Sequence, residues 1–299
     1  MTRARWNTTF CLCASLASLT LGATIPRPAY ATNGIMTINQ TTTLTANHVG
    51  QIRFGANNIT LDCAGHQISY SARQPSGSCG VSGTQTCGIH SLNRTGITIR
   101  NCDVVGAYNY GVWIQGTSTT STVRDSSVTE AGVGFRVDSS SNLQFFNSAA
   151  VSNNAGFEIR DSTNVTFTGT DAVYSSGDGF DINDSTNTRI QYGFVFANGV
   201  NGIEFDFSPG SAVLNSEVLN NGQHGVSLDD GTGAYISSNL IRSNMEDGLR
   251  LQNSDNGTLR YNQVDYNGAC NANQDAASTG NTWTGNTLQG WCGTVPNPH

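Results

Sequence analysis

The chain has 299 residues, only 12% of them charged, and all 14 of its basic residues are arginine. Without lysine there can be no lysine Schiff base and no P-loop lysine, and the arginines are too dispersed to form a polybasic arm for nucleic acid. With 34 Gly, 6 Pro and 37% apolar residues, the composition excludes a disordered chain and a helix-rich fold, and it favours a β-rich exported protein with many tight turns.

Residues 1–31 read as a leader. Arg3 and Arg5 precede an apolar stretch from Phe10 to Ala23, and Ala29-Tyr30-Ala31 supplies small residues for cleavage. This is the pattern of a secretory signal, too short for a comfortable membrane span. The fold is therefore expected over residues 32–299, as one domain of a secreted or periplasmic protein with no membrane span. Removing Arg3, Arg5 and Arg27 leaves 11 Arg against 21 acids, a formal charge of −10. Phosphate binding needs clustered cations, so nucleic acid is a poor partner.

Cleavage also removes Cys11 and Cys13, and the six remaining cysteines read as disulfides. Proximity along the chain pairs Cys270 with Cys292 and Cys79 with Cys87, which leaves Cys63 with Cys102. Other pairings of the six are open at this level.

Residues 35–70 hold a less regular coil, with Ile59-Thr60-Leu61-Asp62-Cys63 followed by Gly65-His66-Gln67-Ile68. A repeat then takes over. Gly111-Val112-Trp113-Ile114 recurs as Gly134-Phe135-Arg136-Val137, Gly156-Phe157-Glu158-Ile159 and Gly179-Phe180-Asp181-Ile182. It continues as Gly202-Ile203-Glu204-Phe205, Gly225-Val226-Ser227-Leu228 and Gly248-Leu249-Arg250-Leu251. Starting from Gly88, the glycine spacings are 23, 23, 22, 23, 23, 23 and 23. Eleven residues after the glycine stand Phe145, Phe167, Ile190, Val213, Ile236 and Leu259; sixteen after it stand Val195, Val218, Ile241 and Val264.

Each period thus offers three short apolar segments between Asn, Ser, Asp and Gly turns, and none is long enough for a helix. Such a unit cannot bury its own inner face, but stacked units can. The pattern predicts an all-β, single-stranded parallel β-helix of about ten coils, roughly 45–50 Å long. Asn198, Asn221, Asn244 and Asn267 recur at one turn position, as an asparagine ladder would. Asn281-Thr282-Trp283 through Trp291-Cys292 reads as a cap. Capped ends predict a monomer.

The phrase Asn58-Ile-Thr-Leu-Asp-Cys-Ala-Gly-His-Gln-Ile, followed by the glycine-led coils, resembles the right-handed parallel β-helix proteins of the pectin-lyase-like superfamily. The resemblance covers nearly all of the mature chain and is nearest the NosD-like and mannuronan epimerase-like branch. It implies the handedness and a range of activities that includes polysaccharide lyases, C5-epimerases, glycosidases and adhesins. The Asp-Pro-His of mannuronan epimerases is absent, as are the Asn-Thr-Asp and Arg-Ile-Lys of polygalacturonases. No catalytic residue is carried over from the resemblance.

Candidate sites come from the repeat itself. In each glycine-led strand alternate side chains point outward, so stacking builds two columns. One reads Trp113, Arg136, Glu158, Asp181, Glu204, Ser227, Arg250; the other reads Gln115, Asp138, Arg160, Asn183, Asp206, Asp229, Gln252. Carboxylates stacked on neighbouring strands repel. A raised pKa, the arginines or a bound cation should compensate, and Glu158, Asp181, Glu204 and Asp206 are the candidate oxygen ligands for Ca²⁺.

Three readings follow. In a catalytic cleft, Arg136, Glu158, Arg160, Asp181, Glu204 and Asp206 would act on the C5 proton of a uronate polysaccharide, as in a lyase or epimerase. In a non-catalytic glycan-binding, adhesin or structural protein, Tyr108, Tyr110 and Trp113 would stack on sugars. The third reading is a plain solvated sheet face. His224 could pair with Asp229 or Asp247, and His66 and His90 are expected to be structural.

Overall fold

The computed structural model describes residues 30–70, 79, 85–106 and 108–296. The expected leader lies outside these apart from Tyr30 and Ala31, where the first strand (Tyr30–Ile38) begins. The described residues contain strands and turns but no helix, and the strand pairs are parallel. Each regular coil contributes three strands. One middle coil supplies Phe180–Asn183, Arg189–Gln191 and Phe194–Phe196, and the next repeats them as Ile203–Asp206, Ala212–Leu214 and Glu217–Leu219.

The middle strands form an 11-stranded sheet. The first and third strands merge into a 22-stranded sheet. They merge because the strand Asn47–Phe54 runs through a corner and pairs with both Gln67–Ser69 and Cys87–Leu92. The architecture is a right-handed parallel β-helix of about ten turns, as the repeat predicts.

The repeated glycine has a steric cause. A Cβ at Gly179 would sit 2.6 Å from the carbonyl oxygen of Gly202 and 2.9 Å from Val195 Cγ1. The same crowding against the next coil's carbonyl recurs at Gly134, Gly202, Gly225 and Gly248, so only glycine lets the strand turn that closely into the core. The residues after it fill the interior. Phe135, Phe157 and Phe180 stack with centroids 4.9 and 4.6 Å apart, and Phe145 and Phe167 stack beside them at 4.7 Å. All five are fully buried.

The expected asparagine ladder is present and buried. The backbone N–H and Nδ2 of Asn198, Asn221 and Asn244 each donate to Oδ1 of the asparagine one coil on, at 2.8–3.1 Å. A second ladder, not anticipated, joins Asn239, Asn262 and Asn286. In earlier coils its position holds Ser216 and Gly193, which breaks the pattern in the sequence.

Cys63 is bonded to Cys102, Cys79 to Cys87 and Cys270 to Cys292, with Cα separations of 4.8, 6.0 and 6.0 Å. The first two bridges lie toward the N-terminal end of the helix and the third at its C-terminal end.

Candidate functional site

The outward columns hold the register read from the repeat. Arg136 pairs with Glu158, Glu158 with Asp181 and Asp181 with Glu204, while Asp138 pairs with Arg160 and Asn183 with Asp206. Along the first half of this face the charges alternate diagonally. Arg136 contacts Asp138 at 2.7 Å and Glu158 at 2.8 Å. Arg160 holds the other Glu158 oxygen and reaches Asp181 at 2.8 Å. Burial works against both guanidinium charges, but the carboxylates around them outweigh it and hold both pKa values above the ordinary arginine range.

Beyond Asp181 the arginines stop until Arg250, which pairs with Asp229 at 2.8 Å. Asp178, Asp181, Glu204 and Asp206 therefore share a stretch in which, among the described residues, Arg160 is the one guanidinium in an ion pair. Burial is the first cause that raises each of their pKa values. Asp181 is pushed up to about 6, with Arg160 opposing. Glu204 is pushed up to about 7 by burial and then by Asp178, Asp181 and Asp229. Two carboxyls in register on adjacent coils thus change charge near neutral pH.

The sequence reading missed Asp178 and Asn201 as members of this site. They belong to a column just before the glycine that continues through His224 and Asp247. Each of these side chains accepts the backbone N–H of the next coil: Asn201 N–H to Asp178, His224 N–H to Asn201, Asp247 N–H to His224 Nδ1 and Cys270 N–H to Asp247, at 2.8–3.1 Å. The side chain replaces a backbone acceptor. First strands accordingly shorten from six residues (Ala155–Arg160) to four (Phe180–Asn183) where this column becomes polar. The signal was visible as a shared turn position, but its proximity to Glu204 was not. His224 Nε2 lies 3.1 Å from Glu246, and burial holds its pKa below the ordinary value.

A groove of about 350 Å³ opens beside this stretch, lined by Tyr110, Val133, Asn154, Glu158 and Asp181 among others. A larger depression of about 610 Å³, around Asp62, Asn101 and Asp125, brings no predicted site residue together.

Two expectations are corrected. Tyr108 is not a stacking surface, because it is 1% exposed and its hydroxyl donates to the Gly50 carbonyl at 2.6 Å. Trp113 is 7% exposed, packed with Cys79 and Cys87 under Tyr110, with its Nε1–H donating to Asp138. Of the three aromatics only Tyr110 reaches the groove, with the Arg136 guanidinium 5.2 Å from its ring centroid.

The calcium expectation finds no formed site among the described residues. Among the described residues no three His, Cys, Asp or Glu side chains group to hold a metal ion. Both Glu158 oxygens and one Asp181 oxygen are already occupied by guanidinium groups, so Glu158, Asp181, Glu204 and Asp206 form no cage.

A family model described as "Right handed beta helix region" matches residues 133–288. The chain belongs to the right-handed β-helix family. A second model, "Periplasmic copper-binding protein (NosD)", matches residues 51–199. Among the described residues no grouped set fits copper, which favours imidazole, thiolate and thioether ligands. The six described cysteines are bridged, and His48 is hydrogen-bonded to Thr32 and Gly34. His90, with its pKa pushed down to about 4 by burial and then Arg53, has no second ligand grouped with it.

No curated protein sequence matches the chain. Among solved structures, the β-helix resembles the periplasmic alginate epimerase AlgG, with a TM-score of 0.67 and 15% identity over 88% of this chain and 73% of that one. It also resembles the enzymatically active domain of bacteriophage CBA120 tailspike protein 2, with a TM-score of 0.57 and 14% identity over 75% of this chain and 38% of that one. The Azotobacter vinelandii mannuronan C-5 epimerase AlgE4 A-module follows, with a TM-score of 0.51 and 15% identity over 86% and 81%. At these identities the likeness is one of fold.

Proposed function

We propose that this is an exported, monomeric β-helix enzyme that acts on a uronate polysaccharide lying across the carboxylate face, by proton transfer at Asp181 and Glu204. The observation that carries this reading is the pair itself: in-register carboxyls on adjacent coils, poised at about 6 and about 7. Between those values Asp181 is mostly charged and Glu204 mostly protonated, so a base and an acid stand side by side. The fitting reaction takes the acidic proton at C5 of a uronate. Loss of the O4 substituent then gives a lyase, and return of a proton from the opposite side gives a C5-epimerase.

Arg160 and Arg136 stand where they can stabilise charge developing on the sugar carboxylate. The protonated Glu204 makes the face less hostile to an anionic chain. The solved structures of alginate and mannuronan epimerases on this fold support the substrate class, and the leader with three disulfides supports export. A second reading, a non-catalytic glycan binder, draws support from Tyr110 beside the groove.

The test is a panel of uronate polysaccharides. Unsaturated products absorbing in the ultraviolet report a lyase, and solvent deuterium entering C5 reports an epimerase. Turnover should follow a bell-shaped pH profile with limbs near 6 and 7. Glu204→Gln should lower kcat by about 100-fold or more, with Asp206→Asn a much milder control. Retention without turnover on every member would replace catalysis by binding.

A further inference from the structure

On a different face, in the middle-strand sheet near the C-terminal end, Arg260 breaks the rule that governs the carboxylate face. It is exposed and enters no ion pair among the described residues, in a chain whose acids far outnumber its bases. Its guanidinium lies 5.0 Å from the ring centroid of Tyr235 and 5.7 Å from that of Tyr261. Tyr235 belongs to the strand Tyr235–Ser237 and Arg260 to the neighbouring strand Thr258–Arg260, and exposed hydroxyls follow at Thr282 and Thr284.

Tyr261 follows Arg260 at a left-handed turn, with φ of 55°, in a position that other coils fill with Asn215, Ser238 and Gly285 and, three coils earlier, with Tyr192 at 56°. The left-handed region suits glycine and asparagine and is strained for a bulky aromatic residue. Burial does not offset that strain, because the side chain is 60% exposed. The next coil also leaves space for it: a Cβ at Gly285 would come 2.8 Å from the Tyr261 ring. A cation without an ion-pair partner, two aromatic faces and exposed hydroxyls side by side make a chemistry that matches one ligand class.

We propose that Tyr235, Arg260 and Tyr261 form a binding subsite for an acidic sugar residue of a polysaccharide. The sugar's apolar ring face stacks on tyrosine, and its carboxylate or sulfate meets the guanidinium. The proposal deepens the polysaccharide reading and rests on it for the class of ligand. The site is separate from the proton-transfer pair, so it holds a long chain on the protein while the other face acts.

The test is electrophoresis of the full mature chain through gels with entrapped polyuronate, sulfated glycan or neutral glucan. Turnover of short uronate oligomers is measured separately in solution. The wild type should be retarded by the anionic gels and not by the neutral one. Arg260→Gln and Tyr261→Asn should each weaken that retardation about tenfold and leave turnover of short oligomers unchanged. Asparagine suits the left-handed turn, so an unchanged melting temperature for Tyr261→Asn shows that the fold is intact. The subsite is overturned if neither variant alters retardation, if no anionic gel retards the wild type, if neutral glucan retards it equally, or if anionic phosphatidylglycerol vesicles capture it and polysaccharides do not. None of these outcomes depends on whether the carboxylate face turns over substrate.

Discussion

Glu204 couples its surroundings to the stability of the fold. Its pKa of about 7 lies above the ordinary 4.5, so the protonated carboxyl favours the folded state. That contribution is complete below pH 4.5 and is lost as pH rises through 7. Glu204→Gln removes the titrating group while keeping its shape. In urea titrations the variant should match the wild type near pH 4 and exceed it at pH 8 by about 1 kcal/mol, a figure discounted because the carboxyl is only half buried. A variant less stable at both pH values would mean that Glu204 is an ordinary polar contact. Carboxyls with lowered values, such as Asp62, where the Asn101 hydrogen bond leads, and Asp265, where Arg242 leads, oppose this trend only below their ordinary 3.8.

At the scale of the element, the turns matter as much as the strands. Asn221 is fully buried and accepts both the backbone N–H and the Nδ2 of Asn198, while donating twice to Asn244. Asn221→Ala would leave donors and an acceptor of two coils without partners, at about 1–3 kcal/mol for such a group. The loss should be read by thermal or urea unfolding. Asn220→Ala, at the exposed neighbouring position with φ of 57°, should cost less, because only backbone strain is at stake. Equal losses would show that the ladder contributes no more than the turn conformation. This ladder was legible in the sequence because one residue type recurs at one spacing. Its companion through Asn239 was not, because Ser216 and Gly193 fill the same role in other coils.

At the scale of the molecule, a stack of coils joined only to their neighbours unfolds from its ends. The Cys270–Cys292 bridge closes a segment with a sequence separation of 22 residues, for which the chain-entropy account gives about 3 kcal/mol. Replacing both cysteines by serine should therefore speed amide exchange in the last coils, around residues 272–293. The Phe157–Phe180 region should remain protected. Uniform loss of protection along the whole helix would mean that the coils unfold as one cooperative unit and that the bridge is no local staple.

The sequence by itself determined the coil, its register and the two outward columns, because a parallel stack forces residues one period apart to become neighbours. Tertiary structure decided what those neighbours do. Arg136 reaches along its own column to Glu158 while Arg160 reaches across from the other column to Glu158 and Asp181, and that reach depends on side-chain direction rather than on spacing. Tyr108 packs into the core against the irregular N-terminal coils, and Trp113 keeps its outward place in the column but is covered by the Cys79–Cys87 bridge, where no repeat sets the pattern. The near-neutral carboxyl pair arises from burial and from Asp178, a residue of the adjoining turn. Periodicity places charges in line, but only the folded surface fixes how much water each one keeps.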